Sequence, residues 1–574
     1  MCGLLAIFRP GGVDDNEPQR LLSMLAHRGP DASAIWYSED HRLALGHNRL
    51  KIIDLSDVAN QPMLSPDGRW ALVFNGEIVN YRDVRAAYRG SWTFRTSSDT
   101  EVLLATFTER GIAAMDEWVG MFAFLLHDRE RNRLHMVRDR FGIKPLYWTQ
   151  LADGGFAIAS EIPPLLKLLP RAKADESTIR SYLETGLYDT GAQTFFAGIN
   201  SIGAGCSAEI DLNTGRFDEK RWYSLDGSLP DFSNASEQEL IDHGTSLVEA
   251  AIGDHLTADV KVGLNVSGGV DSSLLVRATV SHVDDLHVFT QDFEPPYSEA
   301  PWVRQVADGA NLHLCTLTRN DIEAQLDWTT KRQAEPFGGV TVIGYDAIYR
   351  AAVAEGVTVL LDGNGVDECF LGYSRYLNSS KSHAPGHAID GSRSVAPDAI
   401  ATRLLQQPQV VLPDRSSAFA DPVKAAAAQD LLVTKIPRGL RFNDRMSMGH
   451  SRELRVPFLD HRLVEFGFAV PTQYLLQDGR TKSLFRKIAQ RWIPESIAQA
   501  TKRSVQSPQR EWLAKEWRPL VDAVLASSSF ADRGWVDPVR ARSIYENYVA
   551  GPQENSFFVW QWLNLEYWAR AYLD

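Results

Sequence analysis

Cysteine is scarce in this chain: four in 574 residues, at Cys2, Cys206, Cys315 and Cys369, none in a CxxC pair. That spacing argues against both a disulfide framework and a zinc site, and it fits a reducing, cytoplasmic setting. No apolar run approaches the roughly 18 residues of a membrane span. The run Leu4 to Phe8 stops at Arg9-Pro10, too short for a signal-peptide core, so neither a leader nor a membrane partner is expected. Basic residues are also short, 59 against 73 acidic for a net charge of −14. The averaged field repels a phosphate backbone, which excludes a general nucleic-acid surface and leaves any anionic ligand to a local site. Internal repeats are absent. The chain does have the length for roughly four domain-sized units or two large ones, and 15 Trp within 44 % hydrophobic residues, enough for a sizeable core.

The first 220 or so residues pattern as short strands with turn signals. Trp70 to Phe74 running into Asn75-Gly76, and Met121 to Leu126 turning at His127-Asp128 into Leu134 to Arg138, have the pattern of hairpins. Phe156 to Ala159 reads as a strand before a helix near Glu161, and Trp222-Tyr223 as a strand after the Thr214-Gly215 turn. This half is expected to be a layered antiparallel α+β domain. The polar stretch Asp226 to Glu237 has linker composition, which sets the expected domains at 1–225 and 226–574. Beyond it, Val260 to Val266, Leu286 to Thr290, Leu312 to Leu317 and Val357 to Leu361 alternate with helical periods, the signature of an α/β domain with a parallel sheet. His383 to Asp398, rich in Pro, Gly, Ser and His, reads as a loop, and the part from about Asp421 as mainly helical.

Cys2 follows the initiator Met. With that Met removed, the chain starts on a cysteine whose own α-amine, with an ordinary pKa of roughly 7.7–8.0, can take the thiol proton; the thiolate is the attacking species. Cys2-Gly3, His27-Arg28-Gly29-Pro30-Asp31, Gly46 to Leu50, Asn75-Gly76-Glu77-Ile78, Ser98 to Glu101 and Arg138 to Tyr147 follow in order. Together they closely resemble the N-terminal-nucleophile glutaminase domain of class II glutamine amidotransferases. The resemblance implies that Cys2 attacks the side-chain amide of L-glutamine, that Asn75 and Gly76 form the oxyanion hole, and that Arg49 holds the substrate carboxylate. It further implies that Asp99 receives the α-amine while Leu50, Ile52, Ile53 and Glu77 line the pocket. Taken singly, Asn75-Gly76 is an ordinary hairpin turn and Asp99 an ordinary helix cap.

In the second half, the strand Val262 to Val266 runs into Ser267-Gly268-Gly269-Val270-Asp271-Ser272-Ser273 and a helix. A glycine-rich strand-to-helix turn presents backbone N–H groups to an anion, and the hydroxyls of Ser267, Ser272 and Ser273 add donors. The turn lacks the Lys of a Walker A loop. A second strand ends in Asp362-Gly363-Asn364-Gly365-Val366-Asp367-Glu368. Asp271 and Asp367 then follow different strand ends, which meet at one crevice in a doubly wound sheet, and paired carboxylates there suit Mg²⁺ shared with phosphates.

The SGGVDSS loop resembles the pyrophosphate loop of enzymes that cleave ATP to AMP and pyrophosphate. With the segments Asn443 to Met448 and Glu453 to His461, the order resembles glutamine-hydrolysing asparagine synthetases over nearly the whole chain. That resemblance implies ATP contacts at Val266, Gln291, Asp362-Gly363 and Lys502, Mg²⁺ at Asp271 and Asp367, and a homodimer. The implied reaction is the glutamine-dependent amidation of a carboxylate, L-aspartate by default, through an acyl-adenylate. One departure stands out: asparagine synthetases commonly carry a Glu where this chain has Asn364, and an amide cannot take a proton at neutral pH. The same chemistry on another carboxylate, in surface-polysaccharide or specialised-metabolite synthesis, is the first alternative; a non-catalytic nucleotide-binding relative is the second. The aromatic run Phe557 to Leu563 reads as a packed terminal helix or as an interface.

Overall fold

The computed structural model describes residues 1–189, 191–227, 229–378, 396–500, 507–552 and 555–574. Lys502 and most of the His383 to Asp398 stretch lie outside the described residues. In chain order the N-terminal half contributes β1 (Gly3–Phe8), β2 (Ala32–Tyr37), β3 (Leu43–Arg49), β4 (Met63–Leu64), β5 (Trp70–Ile78), β6 (Gly120–Asp128), β7 (Arg133–Arg138), β8 (Tyr147–Gln150), β9 (Phe156–Ala159), β10 (Asn200–Ser201), β11 (Cys206–Asp211) and β12 (Arg216–Arg221). They form two antiparallel sheets in the orders β10-β8-β9-β1-β3-β2 and β12-β11-β7-β6-β5-β4.

The period-2 alternation of β1 explains the layering. Leu4, Ala6 and Phe8 face the second sheet and pack with Val73, Ala123 and Leu125. Leu5 and Ile7 face outward and are covered by Leu21, Leu25, Ile162 and Ile179 of flanking helices. On the far side, Phe74, Phe122 and Leu126 pack under Val102 and Phe107 of the helix Asp99–Arg110. The central strands β1, β3, β5 and β6 are therefore buried on both faces, which is why they read as continuous apolar runs.

Two expectations are corrected here. Asn75-Gly76 is no turn: both residues lie inside β5, whose nine residues pair with β6 from Trp70↔Asp128 to Ile78↔Gly120. Gly76 is required by close approach, since a Cβ there would lie 2.1 Å from the Met121 carbonyl oxygen. The last strand of this half is β12, Arg-Phe-Asp-Glu-Lys-Arg, and ends before Trp222. It is an edge strand, and its charges suit an edge that must not pair further. The β6–β7 hairpin forms where its pattern indicated.

The C-terminal half holds β13 (Val262–Asn265), β14 (His287–Phe293), β15 (Asn311–Leu317), β16 (Val359–Asp362) and β17 (Glu453–Arg455), all parallel, in the order β15-β14-β13-β16-β17. The order reverses between β13 and β16, so their carboxyl ends open a switch-point crevice. β17 was not legible as a strand, because Glu453 and Arg455 read as solvated; both are fully buried. The helix Phe557–Tyr572 packs inward through Trp560, Trp562 and Trp568, as a terminal helix does.

The halves meet through buried charge. Arg28 donates to both carboxylate oxygens of Asp444 (2.8 and 3.1 Å), to Glu161 (2.8 Å) and to the Cys2 carbonyl (3.1 Å). Such a charge-assisted fork fixes orientation as well as position.

Candidate active sites

The first site forms where β1 starts beside β5. Cys2 is buried, its backbone N–H donates to Asn75 Oδ1 at 2.8 Å, and burial pushes its thiol pKa up. A raised thiol needs a base. In this chain the terminal ammonium sits on Met1, is itself buried, and binds Glu453 Oε2 at 2.6 Å. Asn75 is fully buried, and its Nδ2 has no hydrogen-bond partner. An orphan amide donor costs about 1–3 kcal/mol, so its retention points to a ligand atom that satisfies it. It lies in the same side chain that positions Cys2, the arrangement an oxyanion hole requires.

Glu77 and Asp99 stand in the same buried pocket. Asp99 accepts from the backbone N–H groups of Ile78 (3.0 Å) and Thr100 (2.8 Å), and the helix cap is Ser98 instead. Burial, reinforced by Glu453, lifts Asp99 to about 6. Glu77 is raised well above the carboxylate range by burial and then by Asp99, and its Oε2 has no hydrogen-bond partner. Two desolvated carboxylates whose one close cation, Arg455, lies 3.6 Å from Glu77 form a receptor for an ammonium group. Arg49 is held differently from the sequence expectation. Nη1 donates to Ser56 O and Asn60 Oδ1, both at 2.8 Å, and Nη2 to the carbonyls of Ile53 and Asp54. Both terminal nitrogens thus anchor the 53–60 loop. Leu50, Ile52 and Ile53 are buried around it.

Sequence reasoning missed the floor of this pocket. Arg455 Nε donates to Glu453 (2.6 Å), and its Nη2 lies 3.6 Å from Glu77. Although burial alone would raise Glu453, the terminal ammonium and Arg455 outweigh it and hold the group at about 2. One strand of the C-terminal sheet therefore carries charges that reach the N-terminal pocket.

The second site is a cavity of about 730 Å³ at the β13/β16 switch point, within the usual range for a nucleotide-sized ligand. Its walls include Val266 to Ser272, Gln291, Asp362 to Gly365, Asp367 and Glu368. Asn265 Nδ2 ties the two strand ends by donating to Asp362 Oδ2 at 2.7 Å, and burial raises Asp362 to about 6. The Gly268 N–H, an anion donor on the sequence reading, donates to Glu299 Oε2 at 2.9 Å. A Cβ at Gly268 would come within 2.4 Å of Trp302 Cβ, so the loop needs glycine there. Ser272 Oγ donates to the Ser267 carbonyl, and Ser273 Oγ to Gly269 O at 2.7 Å. These hydroxyls shape the loop. Ser273, read from the sequence as an ATP contact, is not among the residues lining the cavity. Gln291 Nε2 donates to Thr341 O at 2.9 Å.

Asp271 and Asp367 are brought together as expected, on a residue the sequence reading did not single out. Lys482 Nζ lies 2.5 Å from Asp271 and 2.7 Å from Asp367, and both raise its pKa against burial. Lys482 sits in the left-handed region (φ 57°), a strain found where a side chain must be aimed. Gly372 makes room: a Cβ there would be 1.9 Å from Asp367 Oδ1 and 2.2 Å from Lys482 Cε. Two carboxylates converging on one cationic point form a hard-oxygen donor set that fits Mg²⁺ together with phosphate oxygens. Next to Asn364 on this wall, Glu368 is buried and raised to about 7 by burial and then by Asp367, with Tyr373 OH donating to it at 2.6 Å.

Comparison with known proteins agrees with this two-site plan. Residues 1–223 match the family described as glutamine amidotransferase domain, and residues 243–570 the family described as asparagine synthase. "Asparagine synthetase [glutamine-hydrolyzing] 1" of Bacillus subtilis is 26% identical, covering 99% of this chain and 97% of its own length. "Amidase chry2" of Gibberella zeae is 26% identical over 94% of this chain and 93% of its own. A "Putative asparagine synthetase [glutamine-hydrolyzing]" of Mycobacterium tuberculosis H37Rv is 28% identical over 100% and 98%.

Proposed function

Since the chain belongs to the asparagine synthase family and carries a glutamine amidotransferase domain in front, we propose that it transfers the amide nitrogen of glutamine to L-aspartate through an aspartyl-adenylate. Its class, an ATP-using, glutamine-hydrolysing amide ligase of the asparagine synthetase type, follows from the family; the acceptor and the residue roles are the proposal. The observation that carries it is the buried Cys2–Asn75 pair with its orphan Nδ2, together with the Asp271–Lys482–Asp367 cluster at the crevice.

Once Met1 is removed, the α-amine of Cys2 takes the thiol proton and Sγ attacks the glutamine Cδ. Asn75 Nδ2 and the Gly76 N–H stabilise the oxyanion, the Cys2 α-ammonium gives its proton to the departing nitrogen so that ammonia leaves as the thioester forms, and water then hydrolyses the thioester to release glutamate and the free thiol. Glu77 and Asp99 hold the α-ammonium of glutamine, and Arg49 its carboxylate. In the crevice, the loop 266–272 and Gln291 bind ATP beside Asp362-Gly363, and Lys502 contacts the pyrophosphate. Asp271 and Asp367 would hold Mg²⁺, which neutralises phosphate charge when bound. The acceptor carboxylate attacks the α-phosphorus, pyrophosphate leaves, and ammonia displaces AMP as the amide forms.

Domain limits at 1–225 and 226–574, a cytoplasmic location and a homodimer belong to the same reading. The four cysteines are free, as a reducing compartment keeps them.

A second reading keeps the machinery and changes the acid. Asn364 on the cavity wall favours it, as does a relative named as an amidase. The test is pyrophosphate release from MgATP across a panel of carboxylates, with glutamine or ammonium as donor. Aspartate-dependent release with asparagine formed upholds the first reading. Release with another acid alone replaces it by the second, and release with none overturns both.

A further inference from the structure

At the opposite end of the parallel sheet, where the strands begin, three polar side chains from three elements converge. His287 opens β14, His313 is the third residue of β15, and Glu355 follows the helix Val340–Ala354 that leads into β16. His287 Nδ1 and His313 Nε2 are 2.9 Å apart. Glu355 Oε2 is 3.9 Å from His287 Nδ1, and its Oε1 is 3.8 Å from His313 Nδ1. One ligand atom from each residue lies within 4.8 Å of the others, the one such His/Cys/Asp/Glu grouping among the described residues. We propose that His287, His313 and Glu355 bind a borderline divalent transition-metal ion, of which Zn²⁺ is the representative, and that the ion pins the edge of the nucleotide-binding sheet.

The donor chemistry selects the ion class. Two imidazoles and one carboxylate suit Zn²⁺ and its neighbours, whereas Mg²⁺ and Ca²⁺ call for oxygen donors throughout. The geometry is close to a metal-bound one. Zn–N bonds of about 2.0–2.1 Å at a tetrahedral angle put the two nitrogens about 3.3 Å apart, so the pair opens by roughly 0.4 Å to admit the ion.

A supporting shell is also present. Asp285 Oδ1 lies 3.4 Å from His287 Nε2, the position from which an outer carboxylate orients a metal-bound imidazole. Asp285 is itself fixed by Lys261 (2.9 Å) and by Asn311 Nδ2 (3.0 Å). His313 stacks on Phe289 with ring centroids 4.7 Å apart, which sets its plane. Because β15 is an edge strand and Glu355 stands on the connection into β16, an ion here ties together the elements that carry Gln291 and Asp362.

The full chain, stripped with a chelator and returned to buffer with millimolar Mg²⁺, is titrated with Zn²⁺ against a chromophoric competitor and, separately, with Co²⁺ by visible absorption. One ion per chain, with an intense Co²⁺ band and a raised thermal midpoint, is the expected result. His313→Gln and Glu355→Gln should each weaken binding by roughly tenfold or more, while Asp271→Asn leaves it unchanged. Glu355 is half-exposed, so Glu355→Gln keeps the test valid if the histidine variant folds poorly. Failure of the wild-type chain to hold an ion, or equal affinity in wild type and Glu355→Gln, overturns the proposal. Neither result bears on the amidation reading, whose residues lie at the other end of the sheet.

Discussion

The two reaction sites solve opposite problems. The Cys2 pocket is buried and pre-set: Asn75, Glu77 and Asp99 are buried, with an orphan donor and two raised carboxylates, which on the proposed reading await one neutral amide and one ammonium. The β13/β16 crevice is open and provisional, with its carboxylates paired to Lys482 and its loop N–H to Glu299. A site for covalent chemistry on a small substrate keeps its polar groups unsatisfied. A site for a large polyanion keeps them satisfied by internal partners that the ligand and its cation replace.

Substitutions can break or sharpen that contrast. The largest effect is expected from Cys2→Ala, which should cut glutamine-dependent synthesis by about ten-thousand-fold or more while ammonium-dependent synthesis continues. Product assays with each donor measure it, and loss of both would erase the division between the sites. Asp271→Asn should lower acid-dependent ATP–pyrophosphate exchange by roughly 100-fold with either donor; unchanged exchange removes it from cation binding.

Lys482→Met leaves two aspartates facing one another and should cost about 3 kcal/mol of stability. Because Mg²⁺ can take the place of the ammonium, adding it should recover most of the lost thermal midpoint, more than it raises that of wild type. A smaller effect concerns pH. Asp99 titrates near 6, above its unfolded value, so it is charged above that pH and neutral below it. KM for glutamine should therefore rise as pH falls through 6, and Asp99→Asn should give a high KM at every pH. The smallest effect is Ser273→Ala, which should lose about 1 kcal/mol of stability without changing KM for ATP.

The layered α+β half and the parallel sheet were legible in the sequence, because buried strands and glycine turns leave periodic or compositional marks. Cys2, Asp271 and Asp367 were legible through local motifs. What escaped was long-range charge. Nothing local marks Glu453 and Arg455 as a buried strand, Lys482 as the partner of residues 211 and 115 positions away, or Arg28 as the clamp on Asp444. Asn75-Gly76 misled because its turn signature is the same whether glycine serves a turn or makes room for Met121 in a flat ladder.

The most direct test feeds [amide-¹⁵N]glutamine, MgATP and the preferred carboxylate to the enzyme and follows label and nucleotide together. The account requires ¹⁵N in the new amide, matched one for one by AMP and glutamate. Label left only in free ammonia, or ADP in place of AMP, would contradict it.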